Sequence, residues 1–449
     1  ALCCLAGKAP TQNKNYILGL EGWGGYTSNG TVPFWLRSNQ FGSIPIDGAS
    51  LSLIGFARKD YDLSGDRIFD WGASVVGRAN LGQGSNLTLI EGYGKVRVGI
   101  FELRAGRSKK ITGLCDTTLS SGSWAISGSS PGIPEVELSV RDFWTLPWFG
   151  ELFAFKGNLA HGWMSEVKMR RWFDDIDTVQ IKTYLHQKSF YGRFGKLSWK
   201  LKLYGGFNHQ VTWGNEDKFY TRDFDLSPFE TFGYVLTGKR YNNGFIDQTR
   251  LGNHIGSLDL GLEYRFKNVD ILIYRQSFYE SGALAKLANI RDGLNGISIG
   301  NRRESEKQLK WDKILLEFLY TVNQAGEPWS PEYGSMYEGY YNHGEYIEGW
   351  SFRGKGLGTP FISTMNEVRS GLPAGPEEYF INNRVIAVHC GLEGAVGAVN
   401  YTLKATWSEN YGTYWTTDEE QSTGLPNPGA YGIFGTQRQF STFFEVEKS

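Results

Sequence analysis

Residues 255–266, IGSLDLGLEYRF, put Leu258, Leu260, Leu262, Tyr264 and Phe266 on one face of an extended chain. Ser257, Asp259, Gly261, Glu263 and Arg265 fall on the other. This two-residue period marks a strand whose faces meet different surroundings. It returns in VGAVNYTLKATW, where Val399, Tyr401, Leu403 and Trp407 oppose Asn400, Thr402, Lys404 and Thr406. In KWDKILLEFLYTV, Ile314, Leu316, Phe318, Tyr320 and Val322 oppose Lys313 and Glu317, and in TVQIKTYLHQK, Val179, Ile181 and Leu185 oppose Gln180, Lys182, His186 and Lys188. A soluble sandwich can alternate in this way too. Charge on the polar faces and aromatics on the apolar ones suit a barrel with lipid outside and water inside.

The connections separate the two readings. Short turns are expected at Val98-Gly99-Ile100, Gly195-Lys196, Lys267-Asn268-Val269 and Glu393-Gly394-Ala395, with long polar, glycine-rich stretches at 107–135, 163–178, 208–254, 279–310, 323–380 and 408–438. Tight turns alternating with long loops is the layout of an outer-membrane barrel, whereas several structureless loops of this length count against a soluble domain. The fold class expected is all-β, a transmembrane antiparallel barrel. At ~25 residues per strand plus its share of loop, it has roughly 16 to 18 strands. One short helix is expected in a loop, over 283–297, where Leu284, Leu287, Ile290 and Leu294 have helical spacing.

Composition narrows the class further. Lys plus Arg number 46 against 47 Asp plus Glu, which leaves no bulk charge for a nucleic-acid partner. No stretch approaches the roughly 20 apolar residues of a spanning helix, so a membrane protein of this sequence has to be a barrel. Residues 1–6, ALCCLA, read as the remnant of an export signal, and 15–449 as one barrel domain. A lipid-modified Cys3 or Cys4 is the alternative, although no convincing lipobox precedes them. Cys115 and Cys390 stand alone, without disulfide or zinc spacing.

Four features invite a chemical reading. DYDLSGD (Asp60–Asp66) opens like a calcium loop, but Trp71 stands where the bidentate Glu is needed, so an acidic hairpin is the simpler reading. SSGSWAISGSS (Ser120–Ser130) is serine-rich without a nucleophile elbow. His186 and His389 lie in alternating segments and could face a lumen, but nothing nearby in sequence completes a catalytic set. His343, Glu345 and Glu348 lack the spacing and third strong ligand of a zinc site. The expectation is no catalytic residue, no metal site and no cofactor.

Aromatics carry more information. Trp213, Trp329, Trp350 and Trp415, with Tyr340, Tyr341, Tyr411 and Tyr414, occur in long loops or at strand ends beside polar residues. Many such rings form the interfacial girdle of a barrel. Others in loops could stack on the apolar face of a sugar while polar neighbours bond its hydroxyls.

Several motifs in order resemble the Bacteroidota branch of the capsule-assembly Wzi family of outer-membrane barrels. They are TVPFWLRSNQFGSIP (31–45), SSGSWAISGSSPGIPEVEL (120–138), KSFYGRFGK with LYGGFNHQVTWG (188–214), LANIRDGLNGISI (287–299) and YYNHGEYIEGWSFRGKGLGTP (340–360). The resemblance implies a barrel of about 18 strands in the outer membrane, among lipids and lipopolysaccharide, whose relatives hold capsular polysaccharide on the cell surface. Those relatives carry a periplasmic helical bundle before the barrel, whereas here strand-like sequence begins at Asn15, which puts a link to export machinery in doubt. The expected site is carbohydrate-binding: Tyr340, Tyr341, Trp350, Arg353 and Lys355 on the outer side, with Trp124 and Trp329 as weaker additions. Two other readings compete: an accessory subunit of an outer-membrane protein complex for insertion, secretion or uptake, and a diffusion porin whose lumen is lined by Lys182, Lys188, Lys404, Glu317 and Arg265.

Overall fold

The computed structural model describes residues 11–13, 16–28, 30–62, 67–82, 84–171, 177–220, 224–243, 249–303, 308–327, 337–376, 378–419 and 431–448. The proposed export remnant at 1–6, Trp329, and part of the acidic loop, 63–66, lie outside them. Sixteen long strands form an antiparallel meander, each bonded to the next: β1 (Tyr16–Gly25), β2 (Ser50–Lys59), β3 (Phe69–Gly82), β4 (Asn86–Val98), β5 (Phe101–Arg107), β6 (Glu135–Thr145), β7 (Phe153–Arg171), β8 (Asp177–Phe194), β9 (Leu201–Trp213), β10 (Asn253–Arg265), β11 (Val269–Tyr279), β12 (Gly293–Asn301), β13 (Leu309–Tyr320), β14 (Val385–Val396), β15 (Val399–Asn410) and β16 (Gln437–Lys448). The short segment Thr11–Asn13 pairs with β1 and makes the sheet seventeen-stranded.

Side-chain polarity is inverted relative to a water-soluble protein. Leu51, Leu81, Leu87, Leu260, Leu316, Phe440 and Phe444 stand exposed on the outer wall, while Ser52, Arg78, Glu91, Glu102, Ser257, Asp259 and Glu317 are buried inside. Leaving such apolar side chains in water forgoes about 1.5–3 kcal/mol each. A lipid surround removes that cost. Inside, ion pairs tie strands across the sheet: Arg58–Glu91 at 3.1 Å, Lys202–Glu263 at 2.6 Å and Lys313–Glu393 at 3.4 Å. Tight turns close one end, with Gly99 and Gly397 at φ 60°. Phe149, Phe153, Phe194 and Trp199 gather there in edge-to-face pairs, an aromatic girdle at one membrane face. The protein is a transmembrane β-barrel of the bacterial outer membrane, as the alternation and loop layout predict.

Four local expectations fail, each for a physical reason. Residues 283–297 form no helix beyond a 3₁₀ turn, Ala283–Lys286, because Leu294 and Ile297 join β12. Glu393-Gly394-Ala395 is inside β14, and the chain turns at Gly397-Ala398. The expected loop at 163–178 is largely strand, since β7 runs to Arg171 and β8 starts at Asp177. On β8 the faces are exchanged: Ile181 and Leu185 are buried, and Lys188 bonds a helix on the outer wall. This tall hairpin packs against loops on both sides, so lipid no longer dictates which face is apolar.

Candidate functional site

Loop 108–134, between β5 and β6, folds into the barrel and is bonded by the wall from β6 round to β14. Lys110 bonds Glu135 and Glu137 of β6 and, at 2.8 Å, Gln187 of β8. Leu114 N–H donates to Asp259 of β10 at 2.7 Å, and Trp124 N–H to Gln276 of β11 at 3.1 Å. Ser298 of β12 donates to Asp116 at 2.9 Å, and Ser121 N–H donates to Glu317 of β13 at 2.6 Å. A chain of bonds completes the ring. The indole of Trp35, in the short helix α1 (Phe34–Arg37), donates to Thr406 at 3.1 Å, the Thr406 hydroxyl meets His389 Nδ1 at 2.7 Å, and His389 Nε2 meets the Leu119 carbonyl at 2.8 Å. Buried acceptors of the wall thus meet the orphan N–H groups of an irregular loop, which is what lets that loop stay out of water.

The long β13–β14 connection, 321–384, seals the plug from above. Its Trp350 is 0 % exposed and donates its indole N–H to the Ala125 carbonyl at 2.7 Å. Trp124 stacks on Phe278 at 4.1 Å, meets Tyr340 edge-on at 4.8 Å, and lies 4.7 Å from Tyr341. The Tyr341 hydroxyl donates to the Trp124 carbonyl and accepts from Thr359 N–H at 2.9 Å. Two glycines allow this closeness. A Cβ on Gly358 would fall 1.9 Å from the Tyr341 hydroxyl, and one on Gly349, itself at φ 53°, 2.0 Å from the Tyr341 carbonyl oxygen.

Carboxylates staple the remaining loops. Glu338 accepts the four consecutive N–H groups of Glu280 to Ala283 at 2.7–3.1 Å. Asp292 accepts Asn323 N–H at 3.0 Å, Gln324 N–H at 2.7 Å and the Tyr340 hydroxyl at 2.5 Å. Burial pushes the Asp292 carboxyl up to about 6 and that of Glu378 to about 7. Burial, and then the neighbouring charge of Glu338, raise Glu280 well above the ordinary range.

The seven residues expected to contact glycan therefore separate. Tyr340, Tyr341, Trp350 and Trp124 are interior rings of the plug, with no face left for a sugar; the long connection that looked like a surface loop dips into the mouth. Arg353 is exposed at the tip of the hairpin formed by Ser351–Phe352 and Lys355–Gly356, with Lys355 half-buried beside it. Trp329 is outside the described residues. Rings that do reach the lid surface are Trp415 and Tyr431, edge-on at 5.9 Å, and Tyr379, whose hydroxyl accepts from Asn366 at 3.1 Å. The His343 ring faces Glu345 at 3.0 Å and packs on Tyr346. Among the described residues no group of three His, Cys, Asp or Glu is arranged to hold a metal ion.

Of the residues read as lumen-facing, Glu317, His389 and Arg265 point inward, and so does Lys404, 5.4 Å over the Trp35 ring. His186 and Lys188 point outward. Helix α2 (Pro228–Thr237), inside the β9–β10 loop, covers them on the outer wall. Its Phe232 lies 5.5 Å from His186, 6.3 Å from His161 and 5.3 Å from Trp213. Lys188 bonds the Leu236 carbonyl at its last turn. Beside it His209 and His254 share a hydrogen bond of 3.0 Å. The sequence reading missed this helix, although SPFE (227–230) spells a capping box with Pro at the first helical position: Ser227 N–H donates to Glu230 at 2.9 Å, and the Ser227 hydroxyl accepts from Glu230 N–H at 3.4 Å.

No family model matches the chain, and no curated protein matches it in sequence. Solved structures do. Wzi of Escherichia coli, an outer-membrane carbohydrate-binding β-barrel involved in group 1 capsule assembly, aligns over 99% of this chain and 80% of its own, at 12% identity and a TM-score of 0.47. The Pseudomonas aeruginosa protein OccD3 aligns over 99% and 94%, at 11% identity and TM-score 0.35. An anion-selective porin from Comamonas acidovorans aligns over 96% and 97%, at 10% identity and TM-score 0.36. Its own inverted polarity, strand count and turn layout make this chain an outer-membrane β-barrel whose mouth is filled by its own loops.

Proposed function

We propose that this is a non-enzymatic surface barrel that holds a cell-surface or capsular polysaccharide on the outer lid of its plug. The observation that carries the reading is the plug itself: loops 108–134 and 321–384 share an aromatic core with Trp350 and Tyr340 at 0 % exposure, so what faces outward is an ordered surface. Motif resemblance to capsule-assembly barrels supports the same reading. The stacking role passes from the interior rings to Trp415, Tyr431 and Tyr379, with Arg353 and Lys355 as donors. Polysaccharide extracted from the source organism should bind the purified protein, and Trp415→Ala with Tyr379→Ala should weaken binding without unfolding the barrel. Wild-type protein in planar bilayers should conduct little. Large steady conductance without polysaccharide binding would instead support a porin.

A second reading, an accessory subunit of an outer-membrane complex, is favoured by one feature. Helix α2 covers the outer wall while its Phe229 stays exposed, giving a protein neighbour an aromatic handle. Recovery of a stoichiometric complex in mild detergent, lost in Phe229→Glu, would support it.

A further inference from the structure

Among the described residues, the plug leaves a strip of basic side chains without acidic partners. At its outer end Arg353 is exposed, within electrostatic range of Arg107, which is 7 % exposed and bonds only through Nη1 to the Leu89 carbonyl at 3.2 Å among its described contacts. Packing makes the strip continuous. A Cβ on Gly42 would lie 3.0 Å from Lys355 Cδ and 2.6 Å from Pro131 Cδ, and one on Gly132 would lie 3.2 Å from Arg107 Cγ. Phe41, next to Gly42, carries the Lys109 ammonium 5.4 Å from its ring centre. Beyond Phe41 the strip opens on a cavity of about 540 Å³ where Lys109, Arg58 and Glu21 stand among apolar side chains such as Ile17, Ile54 and Phe56, a size that suits small-molecule ligands.

Among the described residues no carboxylate lies within ion-pair distance of Arg107, Lys109, Arg353 or Lys355. The acid beside the strip, Glu367, is engaged by Thr364 at 3.0 Å and by Arg37 at 4.0 Å. Other cations inside this barrel are paired, as in Arg104–Glu102 and Lys202–Glu263, or lie over aromatic rings, as Lys156 does over Phe143 and Tyr191 and Lys404 over Trp35. Arg107 is buried and Lys355 half-buried, whereas Lys109 and Arg353 stay exposed; a cation withdrawn from water without a partner is costly, and an incoming anion offsets that cost. Burial, with Arg37 adding to it, lowers the Lys355 pKa while Glu367 opposes the shift.

We infer that Arg353, Lys355, Arg107 and Lys109, arrayed past Phe41, form a subsite for the carboxylates of acidic sugar units, so that the polysaccharide held is a uronate-type polyanion. This deepens the proposed function and rests on it. Guanidinium groups take carboxylates by two parallel bonds, and Phe41 offers an apolar surface between the charges.

The test uses the full barrel in detergent with fluorescent polygalacturonate and, as a neutral probe, dextran of matched length. Wild type should retain polygalacturonate far better than dextran, with binding that weakens as salt rises. Arg353→Glu with Lys355→Glu should reduce polygalacturonate binding about tenfold or more. Lys239→Glu with Arg240→Glu, an equal charge change at the end of α2 on the outer wall, should leave it unchanged. The inference is overturned if the first pair binds polygalacturonate as wild type does, if the outer-wall pair loses binding equally, if dextran binds as tightly, or if inorganic phosphate displaces the polymer more than chloride at equal ionic strength. None of these outcomes touches retention of native polysaccharide, and only failure of that polysaccharide to bind wild type removes the broader reading.

Discussion

Two aromatic clusters lie on opposite sides of one wall and are fastened differently. Inside, Trp124, Phe278, Tyr340, Tyr341 and Phe380 are held by rings and also by buried acceptors: Glu338 takes four backbone N–H groups, Asp292 two N–H groups and a hydroxyl, and Glu317 the Ser121 N–H. Outside, α2 meets His161, His186 and Trp213 through Phe232 and buries Val235 in the cluster that holds Val211 and Trp213, with Lys188 capping its end. Buried side-chain atoms with no hydrogen-bond partner among the described residues occur on both sides, His186 Nε2, His209 Nδ1 and the Trp213 indole N–H outside and the Trp124 indole N–H, Asn289 Oδ1 and Thr359 Oγ1 inside. The difference therefore lies in how the backbone is held. Inside, irregular backbone has to be satisfied by the protein, and carboxylates do this with geometry that fixes each loop. Outside, a short helix satisfies its own backbone and needs only packing. The plug should therefore behave as part of the barrel, and the outer cover as a separately opening unit.

The largest effect should come from Trp350→Ala. It deletes a fully enclosed indole and strands the Ala125 carbonyl, at a cost of about 3–5 kcal/mol. The expected outcome is proteolysis in loop 321–384 with barrel strands intact, and conductance bursts in bilayers that wild type lacks. Glu338→Gln comes next. It weakens four charge-assisted bonds together, about 2–3 kcal/mol, and should raise hydrogen exchange at 280–283 while leaving α2 unchanged. Exchange rising equally on both sides of the wall would break the distinction between the clusters.

How much of this was legible in the sequence follows from which physics each region obeys. IGSLDLGLEYRF gave its faces correctly because lipid and lumen enforce them: Leu258 and Leu260 are exposed, Ser257 and Asp259 buried. TVQIKTYLHQK misled because β7 and β8 carry packed loops on both faces. The motif YYNHGEYIEGWSFRGKG stands out by its aromatics, but composition cannot distinguish rings that stack on sugar from rings that stack on Trp124. Contacts between residues 217 or 225 positions apart, Tyr341 to Trp124 and Trp350 to Ala125, decide that. Helix α2 was legible through its capping box and was missed among long-loop residues. Arg107 and Lys109 became site candidates only through the packing of Gly42 and Gly132.

Acidity sharpens the comparison from the inner side. Asp292, Glu378 and Glu280 have raised pKa values, so the folded lid binds more protons than the unfolded one between the ordinary carboxylate range near 4 and about 7. Stability contributed by these groups is present at low pH and is lost as pH rises through their folded pKa values. Protease protection of the lid should thus fall at least about tenfold from pH 5 to pH 8, where one pKa unit corresponds to about 1.4 kcal/mol. Protection that rises over this interval would contradict the burial assigned to these carboxyls.

The smallest effect should be on the outer side. Phe232→Ala removes a ring that is only partly covered, so the loss is about 1 kcal/mol rather than the 3–5 of an enclosed aromatic. Because α2 keeps its capping box and its Lys188 bond, the helix should open more often without the barrel loosening. Hydrogen exchange should quicken several-fold within 228–237 and remain unchanged at 280–283. The pairing of Trp350→Ala with Phe232→Ala then separates the two faces: the first should admit ions through the lumen, and the second should not. If Phe232→Ala also produced conductance, α2 would be supporting the plug through β8 and β9, and the wall would be transmitting strain between clusters that their hydrogen bonding keeps apart.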